Sequence, residues 1–168
     1  KKNKIDIIFP ISEHELQLLT NEKNFFEKKG VHVVVSKPEI IKLCNNKLLT
    51  NKFLLKNKIP FPKVLNFKNI NENLPVIKKK IFGDGSKDQL IIRNAEEIPK
   101  RNDKIFFFQK YLNYQEYGMD ILNDLNGNFV HCCIKKKLQM RAGDTDKVQI
   151  VHSKIFEKVA KKISFNLK

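Results

Sequence analysis

The sequence predicts an α/β lobe with parallel strands, followed by an α+β lobe built on an antiparallel sheet. The first lobe is indicated by an apolar strand at 5–9 and a β-branched strand at 31–35, with one amphipathic helix between them; a strand–helix–strand unit of this length favours parallel pairing. The second lobe is indicated by two long segments, 117–125 and 129–139, which are joined by Asn126-Gly127, the strongest short hairpin signal.

Capping residues set the helices of the first lobe. Ser12 is followed three residues later by Glu15, which is the spacing of a capping box. The helix that begins there is expected to end near Gly30, because glycine readily adopts the positive φ of a helix C-cap. Pro38 suits the first turn of a second helix, and a third is expected at 48–57.

The second lobe is predicted to contain shorter strands as well. Pro60 and Pro62 bracket an extended segment that separates it from the helices before it. A loop is expected at 142–146, and a helix at 153–165 has its apolar residues on one face. The remaining elements are strands at 64–67, 76–79, 89–93, 105–110 and 148–151, and a short helix near 95–100.

The chain is strongly basic, with 33 Lys and Arg against 18 Asp and Glu, a net charge of +15. Such an excess suits a polyanionic partner, either nucleic acid or ATP. The lysines are spread along the whole chain, however, and the only arginines are Arg93, Arg101 and Arg141. Nucleic-acid binding is therefore kept as the alternative interpretation.

Apolar runs and cysteines indicate the compartment. No apolar run approaches the roughly 20 residues that a membrane helix needs. The three cysteines, Cys44, Cys132 and Cys133, are odd in number and lack the spacing of a disulfide framework or a zinc site. We therefore expect reduced thiols in or near the core and a cytoplasmic location.

A glycine loop after a lysine-bearing strand is the first candidate for chemistry. Gly83, Asp84, Gly85 and Ser86 supply backbone N–H groups that can surround an anion. Lys78 lies in the strand before the loop, between apolar segments, where an ammonium is costly unless it meets an anion. The alternatives are a tight hairpin turn for the loop and a solvated strand edge for the lysine.

The second candidate is a strand that leaves the core and reaches a glutamate. Gln109, Lys110, Tyr111 and Leu112 offer backbone groups and apolar surface to an adenine ring. Glu116 can accept hydrogen bonds from two ribose hydroxyls. The alternative for Glu116 is an ordinary exposed strand glutamate.

Two further basic residues are candidates for phosphate contact. Arg141 ends a long strand, and its planar guanidinium suits bidentate contact with a phosphate. Lys47 follows the break between two helices. Each is equally compatible with a surface position.

In their order along the chain, these segments resemble the ATP-grasp superfamily, and most of all its carbamoyl-phosphate-synthase large-subunit branch. The similarity covers nearly the whole chain. The segments that carry it are 6–16 (the end of the preceding α/β domain), 46–50 with 59–62 (the start of the ATP-binding domain), 75–78 with 83–86 (the lysine strand and glycine loop), 109–120 (the adenine segment and ribose glutamate) and 140–145 (the loop with a phosphate-facing basic residue).

The resemblance implies a partial pre-ATP-grasp, Rossmann-like lobe at 1–44 and an incomplete ATP-grasp domain, an antiparallel sheet with helices, at 45–168. It also implies roles by position, as follows: phosphate contacts from Lys47 and Lys78, a flexible loop from Gly83 to Ser86, an adenine slot lined by Gln109, Lys110, Tyr111 and Leu112, a ribose contact from Glu116, and a catalytic contact with the triphosphate from Arg141.

Members of this superfamily phosphorylate a carboxylate with ATP and let an amine or ammonia attack the acyl phosphate, so the resemblance implies a ligase with these partners. Asn46 and Lys79 depart from the family's aspartate and proline. The family's Mg²⁺ ligands are expected beyond Lys168, so this piece alone is expected not to turn over. Whether it is a homodimer or lacks a C-terminal part is left open.

Overall fold

A computed structural model describes residues 4–83, 88–124, 126–141 and 144–167 of the chain. It divides the chain into two compact units, Lys1–Thr50 and Asn51–Lys168. The domain limits at 1–44 and 45–168 stay a prediction. In the parts of the chain just given, none of the helices has the length and apolarity needed to cross a bilayer.

The first unit is a small α/β layer. Strands β1 (Ile7–Ile8) and β2 (His32–Val33) pair in parallel, as predicted, and helix α1 (Glu13–Glu27) connects them. Helix α2 (Pro38–Asn45) follows, with its proline in the first turn. Helix α3 (Lys47–Lys56) begins in this unit and continues into the second.

The predicted capping box is present at the start of α1. The Glu15 carboxylate accepts hydrogen bonds from the backbone N–H groups of Ile11, at 2.9 Å, and Ser12, at 3.2 Å. These two bonds, chiefly the one from Ile11, hold the pKa of Glu15 below its ordinary value because they favour the charged form. The carboxylate therefore satisfies N–H groups that the helix itself leaves unpaired.

Replacing Glu15 with glutamine is expected to destabilise the chain more at neutral than at acid pH. The folded-state pKa is depressed, so the stabilisation is present above the unfolded-state pKa and is lost as pH falls through the folded-state value. The measurement is the difference in melting temperature between wild type and Glu15→Gln at pH 7 and pH 3. Glu22→Gln, in the middle of α1, is the charge-matched control, and a difference that does not change with pH would contradict the prediction.

Two further boundaries follow the expected chemistry. Gly30 has φ +70 and its N–H donates to the Glu27 carbonyl at 2.9 Å, which ends α1 as predicted. Asn46 caps α3, since its Oδ1 accepts from the N–H groups of Leu48 and Leu49 at 3.0 and 3.1 Å. A neutral amide thus performs the capping that an aspartate at this position would also perform.

The second unit contains a four-stranded antiparallel sheet. Its strands are β3 (Val64–Leu65), β4 (Val76–Lys80), β5 (Leu90–Ile92) and β6 (Phe106–Lys110), in the spatial order β3-β6-β4-β5. One face carries a buried cluster that consists of Leu65, Ile70, Val76, Ile92 and Phe108. All four strands were predicted, with longer limits for β3, β5 and β6 and a shorter limit for β4.

A three-stranded antiparallel sheet completes the second unit. It consists of β7 (Tyr117–Asn123), β8 (Phe129–Arg141) and β9 (Asp144–Val151), and helix α4 (Lys154–Asn166) packs on one face. The Tyr117 ring lies 4.9 Å from the Phe156 ring of α4, measured between centroids. This sheet and its helix confirm the predicted hairpin and the predicted final helix.

Three local expectations were wrong. Strand β9 begins at Asp144, which pairs with Arg141, so residues 144–146 belong to a strand and not to the loop expected at 142–146; residues 142 and 143 lie outside the described part of the chain. The helix expected near 95–100 is a single 3₁₀ turn, Ala95–Glu97. Cys44 is exposed rather than near the core, since it lies at the end of α2, beyond the buried Ile41. All three thiols are free.

Candidate functional site

The register between β4 and β6 assigns the lysines of β4 to the two faces of the four-stranded sheet. Ile77 lies opposite Gln109, and Lys79 lies opposite Phe107. Because side chains alternate along a strand, Lys79 and Gln109 lie on one face, and Lys78 lies on the other, with the buried cluster.

Lys78 has a partner on its own face. Its Nζ lies 3.9 Å from the centroid of the Phe106 ring, which is a cation–π contact. Beside it, Lys80 forms an ion pair with Asp88 at 2.6 Å. An aromatic ring therefore contacts the Lys78 ammonium, and the phosphate role of Lys78 stays a prediction.

Gln109 is almost fully buried at the end of β6, with 5% of its surface exposed. Its Nε2 donates to Asn51 Oδ1 and to the Pro62 carbonyl, at 3.3 Å each. The Nδ2 of Asn51 is buried without a hydrogen-bond partner. A buried donor of this kind suits an acceptor on a ligand.

Lys110 and Tyr111 use their polar groups within the fold. The Lys110 ammonium donates to the backbone carbonyls of Asn73 and Leu74, at 2.9 and 3.4 Å. The backbone N–H of Tyr111 donates to the Pro75 carbonyl at 3.2 Å. These contacts fix the chain where it leaves β6 and use a backbone donor that was predicted for adenine. The next residue, Leu112, is exposed and offers apolar surface.

Glu116 lies directly before β7 and Arg141 is the last residue of β8, and each has an ionic partner. Glu116 Oε2 lies 3.1 Å from the Nζ of Lys137 on β8. An Nη of Arg141 lies 3.3 Å from a carboxylate oxygen of Asp146 on β9, and the Arg141 side chain is 77% exposed. Both groups remain open to a further ligand on their exposed sides.

Within the second unit, the structure assigns Lys78 and Gln109 to the four-stranded sheet and Arg141 to the three-stranded sheet. Gln109 and Lys78 are on neighbouring strands but opposite faces, while Lys47 begins α3 in the first unit. Gly83 has φ +128, a conformation that favours glycine, and a Cβ there would meet nothing within 4 Å. Asp84, Gly85 and Ser86 lie outside the described residues.

Sequence patterns did not single out Lys79, which shares a face of the sheet with Gln109, or Asn51, which contacts Gln109. Lys79 and Gln109 share a face because Ile77 pairs with Gln109 and side chains alternate along β4. Only the register between the two strands shows this. Asn51 gave no signal, because it lies 58 residues from Gln109 and an amide within a helix is common.

The family's Mg²⁺ chemistry needs a set of carboxylate oxygens. Across 4–83, 88–124, 126–141 and 144–167, no three His, Cys, Asp or Glu residues lie close enough to hold a metal ion. The metal ligands that the resemblance implies therefore stay a prediction, and no step below depends on a metal.

The family described as "ATP-grasp domain" matches residues 44–168 of this chain. Among curated proteins, none matches the sequence.

Solved structures share the fold. Biotin carboxylase from Campylobacter jejuni, in a "beta-gamma-ATP" complex, is 15% identical with a TM-score of 0.72 over 96% of this chain and 42% of its own. N5-carboxyaminoimidazole ribonucleotide synthetase from Thermotoga maritima is 17% identical with a TM-score of 0.60, covering 96% and 44%. D-alanine–D-alanine ligase from Bacillus anthracis is 15% identical with a TM-score of 0.64, covering 98% and 61%. The chain thus spans between two fifths and two thirds of these proteins.

Proposed function

Because this chain belongs to the ATP-grasp family, we propose that it is the nucleotide-binding part of an ATP-dependent ligase that joins a carboxylate to an amine or ammonia. The observation that carries the proposal is the placement of a buried carboxamide, Gln109, and a cation, Lys79, on one face of the sheet. The motifs at 109–120 and 140–145 support a carbamoyl-phosphate-synthase-like member. Its substrates are ATP, a small carboxylate and an amine or ammonia.

The adenine is proposed to lie beside Gln109 and Leu112, with the phosphates directed along β4. Lys79 pairs with Phe107, which lies two residues before Gln109 on β6. The backbones of Lys79 and Gln109 are therefore offset by about 7 Å along the strands, and the lysine side chain adds to this distance. That separation suits a base held at one point and a phosphate at the other. Buried Asn51 Nδ2 supplies a further donor beside Gln109.

The other predicted contacts remain part of this proposal. Glu116 accepts hydrogen bonds from the ribose, and Arg141 contacts the triphosphate. The remaining phosphate contacts come from Lys47, Lys78 and the loop from Gly83 to Ser86, while Lys110 and Tyr111 hold the end of β6 beside the adenine.

The chemistry activates the carboxylate. A carboxylate oxygen attacks the γ-phosphorus, the bond to the β,γ-bridging oxygen breaks, and ADP leaves. The amine nitrogen then attacks the acyl carbon of the acyl phosphate and phosphate leaves, so a poor leaving oxygen has become a good one. The chain's contribution is to position ATP and to offset its negative charge with Lys79 and Arg141.

A polyanion-binding module remains the second candidate because of the net charge of +15. Several lysines of the second unit are, however, neutralised by carboxylates at short range: Lys80 by Asp88, Lys135 by Asp120 and Lys137 by Glu116. Such pairing interrupts the continuous cationic surface that nucleic acid requires.

We expect ATP with Mg²⁺ to raise the melting temperature of the chain. A ligand at about 100 times its Kd stabilises the native state by about 2.7 kcal/mol, which for a chain of this size corresponds to roughly 5–10 °C. Glu116→Ala is expected to remove most of the shift. Glu157→Ala is the matched control, because it also breaks an exposed ion pair, the one with Lys161 at 2.6 Å. This variant should retain the shift in melting temperature. No shift with ATP, together with nucleic-acid binding that weakens steeply with salt, would favour the second candidate.

A further inference from the structure

Lys137 on β8 contacts the carboxylate that is proposed to hold the ribose. Its Nζ lies 3.1 Å from Glu116 Oε2. The Lys137 backbone N–H also donates to the Glu116 carbonyl at 3.0 Å, so the pairing of β7 with β8 continues one residue before β7 begins. The two residues are therefore a directly opposed cross-strand pair, and the strand register determines the contact between their side chains.

A third side chain fixes this segment. Gln115 Nε2 donates to the Lys137 carbonyl at 2.7 Å and to the Glu116 carbonyl at 3.1 Å. These bonds, added to the backbone bond between Glu116 and Lys137, hold the segment before β7 against β8. The carboxylate thus starts from a defined backbone position.

Exposure differs between the two partners. Tyr117 packs on α4, so its neighbour Glu116 and the opposed Lys137 lie on the face of the sheet away from that helix. The Lys137 side chain is 27% exposed and the Glu116 side chain is 70% exposed. A largely packed cation therefore holds a largely accessible anion, which can still accept hydrogen bonds.

The neighbouring lysine on this face is engaged elsewhere. Lys135 pairs with Asp120 at 2.5 Å. Its stem lies across Gly118, where a Cβ would be 3.7 Å from Lys135 Cε. Lys135 is therefore committed to a different carboxylate, and Lys137 is the lysine that contacts Glu116.

We propose that Lys137 is a positioning residue that orients the Glu116 carboxylate for the ribose hydroxyls, and so favours ribonucleotides over 2′-deoxyribonucleotides. This inference rests on the proposed function. By holding Oε2, the ammonium fixes the plane of the carboxylate, and an ionised acceptor in a fixed plane makes the stronger hydrogen bonds. The ammonium also offsets the repulsion between Glu116 and the phosphates. Because the Glu116 carboxylate is largely exposed to water, the ion pair contributes little to stability, and Lys137→Met would keep most of the packed stem. The positioning role is therefore separable from folding.

The test compares Kd for ATP and for 2′-deoxy-ATP, each with Mg²⁺, in the 168-residue chain and its variants. Wild type is expected to prefer ATP by about tenfold, the equivalent of one charge-assisted hydrogen bond. In Lys137→Met the preference is expected to fall to about twofold, close to that of Glu116→Gln, with an unchanged melting temperature. Lys137→Arg should restore most of the preference. Lys136→Met, on the face that packs on α4, is the charge-matched control and should keep it.

The outcomes separate this inference from the proposed function. If wild type and Lys137→Met both bind ATP with the same preference over 2′-deoxy-ATP, the positioning role is overturned while nucleotide binding stands. A wild type that binds the two nucleotides equally also overturns it, because Glu116 then does not contact the 2′-hydroxyl. A wild type that binds neither nucleotide overturns both proposals.

Discussion

Replacing Lys79 with methionine is expected to lower the affinity for ATP by about 10- to 100-fold, which is the range for losing a hydrogen bond between charged groups. Lys78→Met is expected to change the affinity by less than about threefold. The reason is the register of β4 and β6, which places Lys79 on the face that carries Gln109 and Lys78 on the face of the buried cluster. Binding isotherms for the two variants provide the comparison.

The two substitutions are matched controls for each other, since they remove the same charge from adjacent positions of one strand. Lys78→Met also loses the contact with Phe106, so a stability loss of about 0.5–1 kcal/mol is expected for it. A larger affinity loss in Lys78→Met than in Lys79→Met would show that the nucleotide binds on the clustered face, and would restore the role that the resemblance assigned to Lys78.

Sequence patterns were sufficient for most elements but not for the faces of β4. The parallel pairing of β1 and β2 was predictable, because two apolar strands separated by a capped helix leave few alternatives. Strand β4 reads Val76-Ile77-Lys78-Lys79-Lys80, without an alternation of apolar and polar residues. A pattern without alternation cannot assign residues to faces, so the face of each lysine depended on pairing with a strand about 30 residues away.

Long-range contacts limited the prediction of the site in the same way. The hydrogen bond between Asn51 and Gln109 joins residues 58 positions apart, and the ion pair between Glu116 and Lys137 joins residues 21 apart. The first has no local signal. The second was accessible in principle, because the Asn126-Gly127 turn limits the register of β7 and β8, and that register places Lys137 opposite Glu116.

Phe108→Ala is expected to destabilise the chain by about 3–5 kcal/mol, which is the usual cost of removing a buried aromatic ring. Phe108 is 3% exposed, belongs to the cluster with Val76 and Ile92, and its ring centroid lies 5.6 Å from that of Phe67. The loss is a large part of the stability of an ordinary domain. It is measured by urea unfolding, with Phe165→Ala as the control, because Phe165 is 71% exposed and should cost less than about 1 kcal/mol.

Phe108→Leu separates stability from binding if the alanine variant does not fold. Leucine keeps most of the buried surface, so a loss of about 1–2 kcal/mol is expected. The ATP affinity of Phe108→Leu is expected to equal that of wild type, because Phe108 and Gln109 are consecutive residues of β6 and their side chains lie on opposite faces. An equal loss of stability in Phe165→Ala would contradict the assignment of the core. A folded Phe108→Leu variant that no longer binds ATP would instead place the nucleotide on the clustered face, and would contradict the site proposed around Gln109 and Lys79.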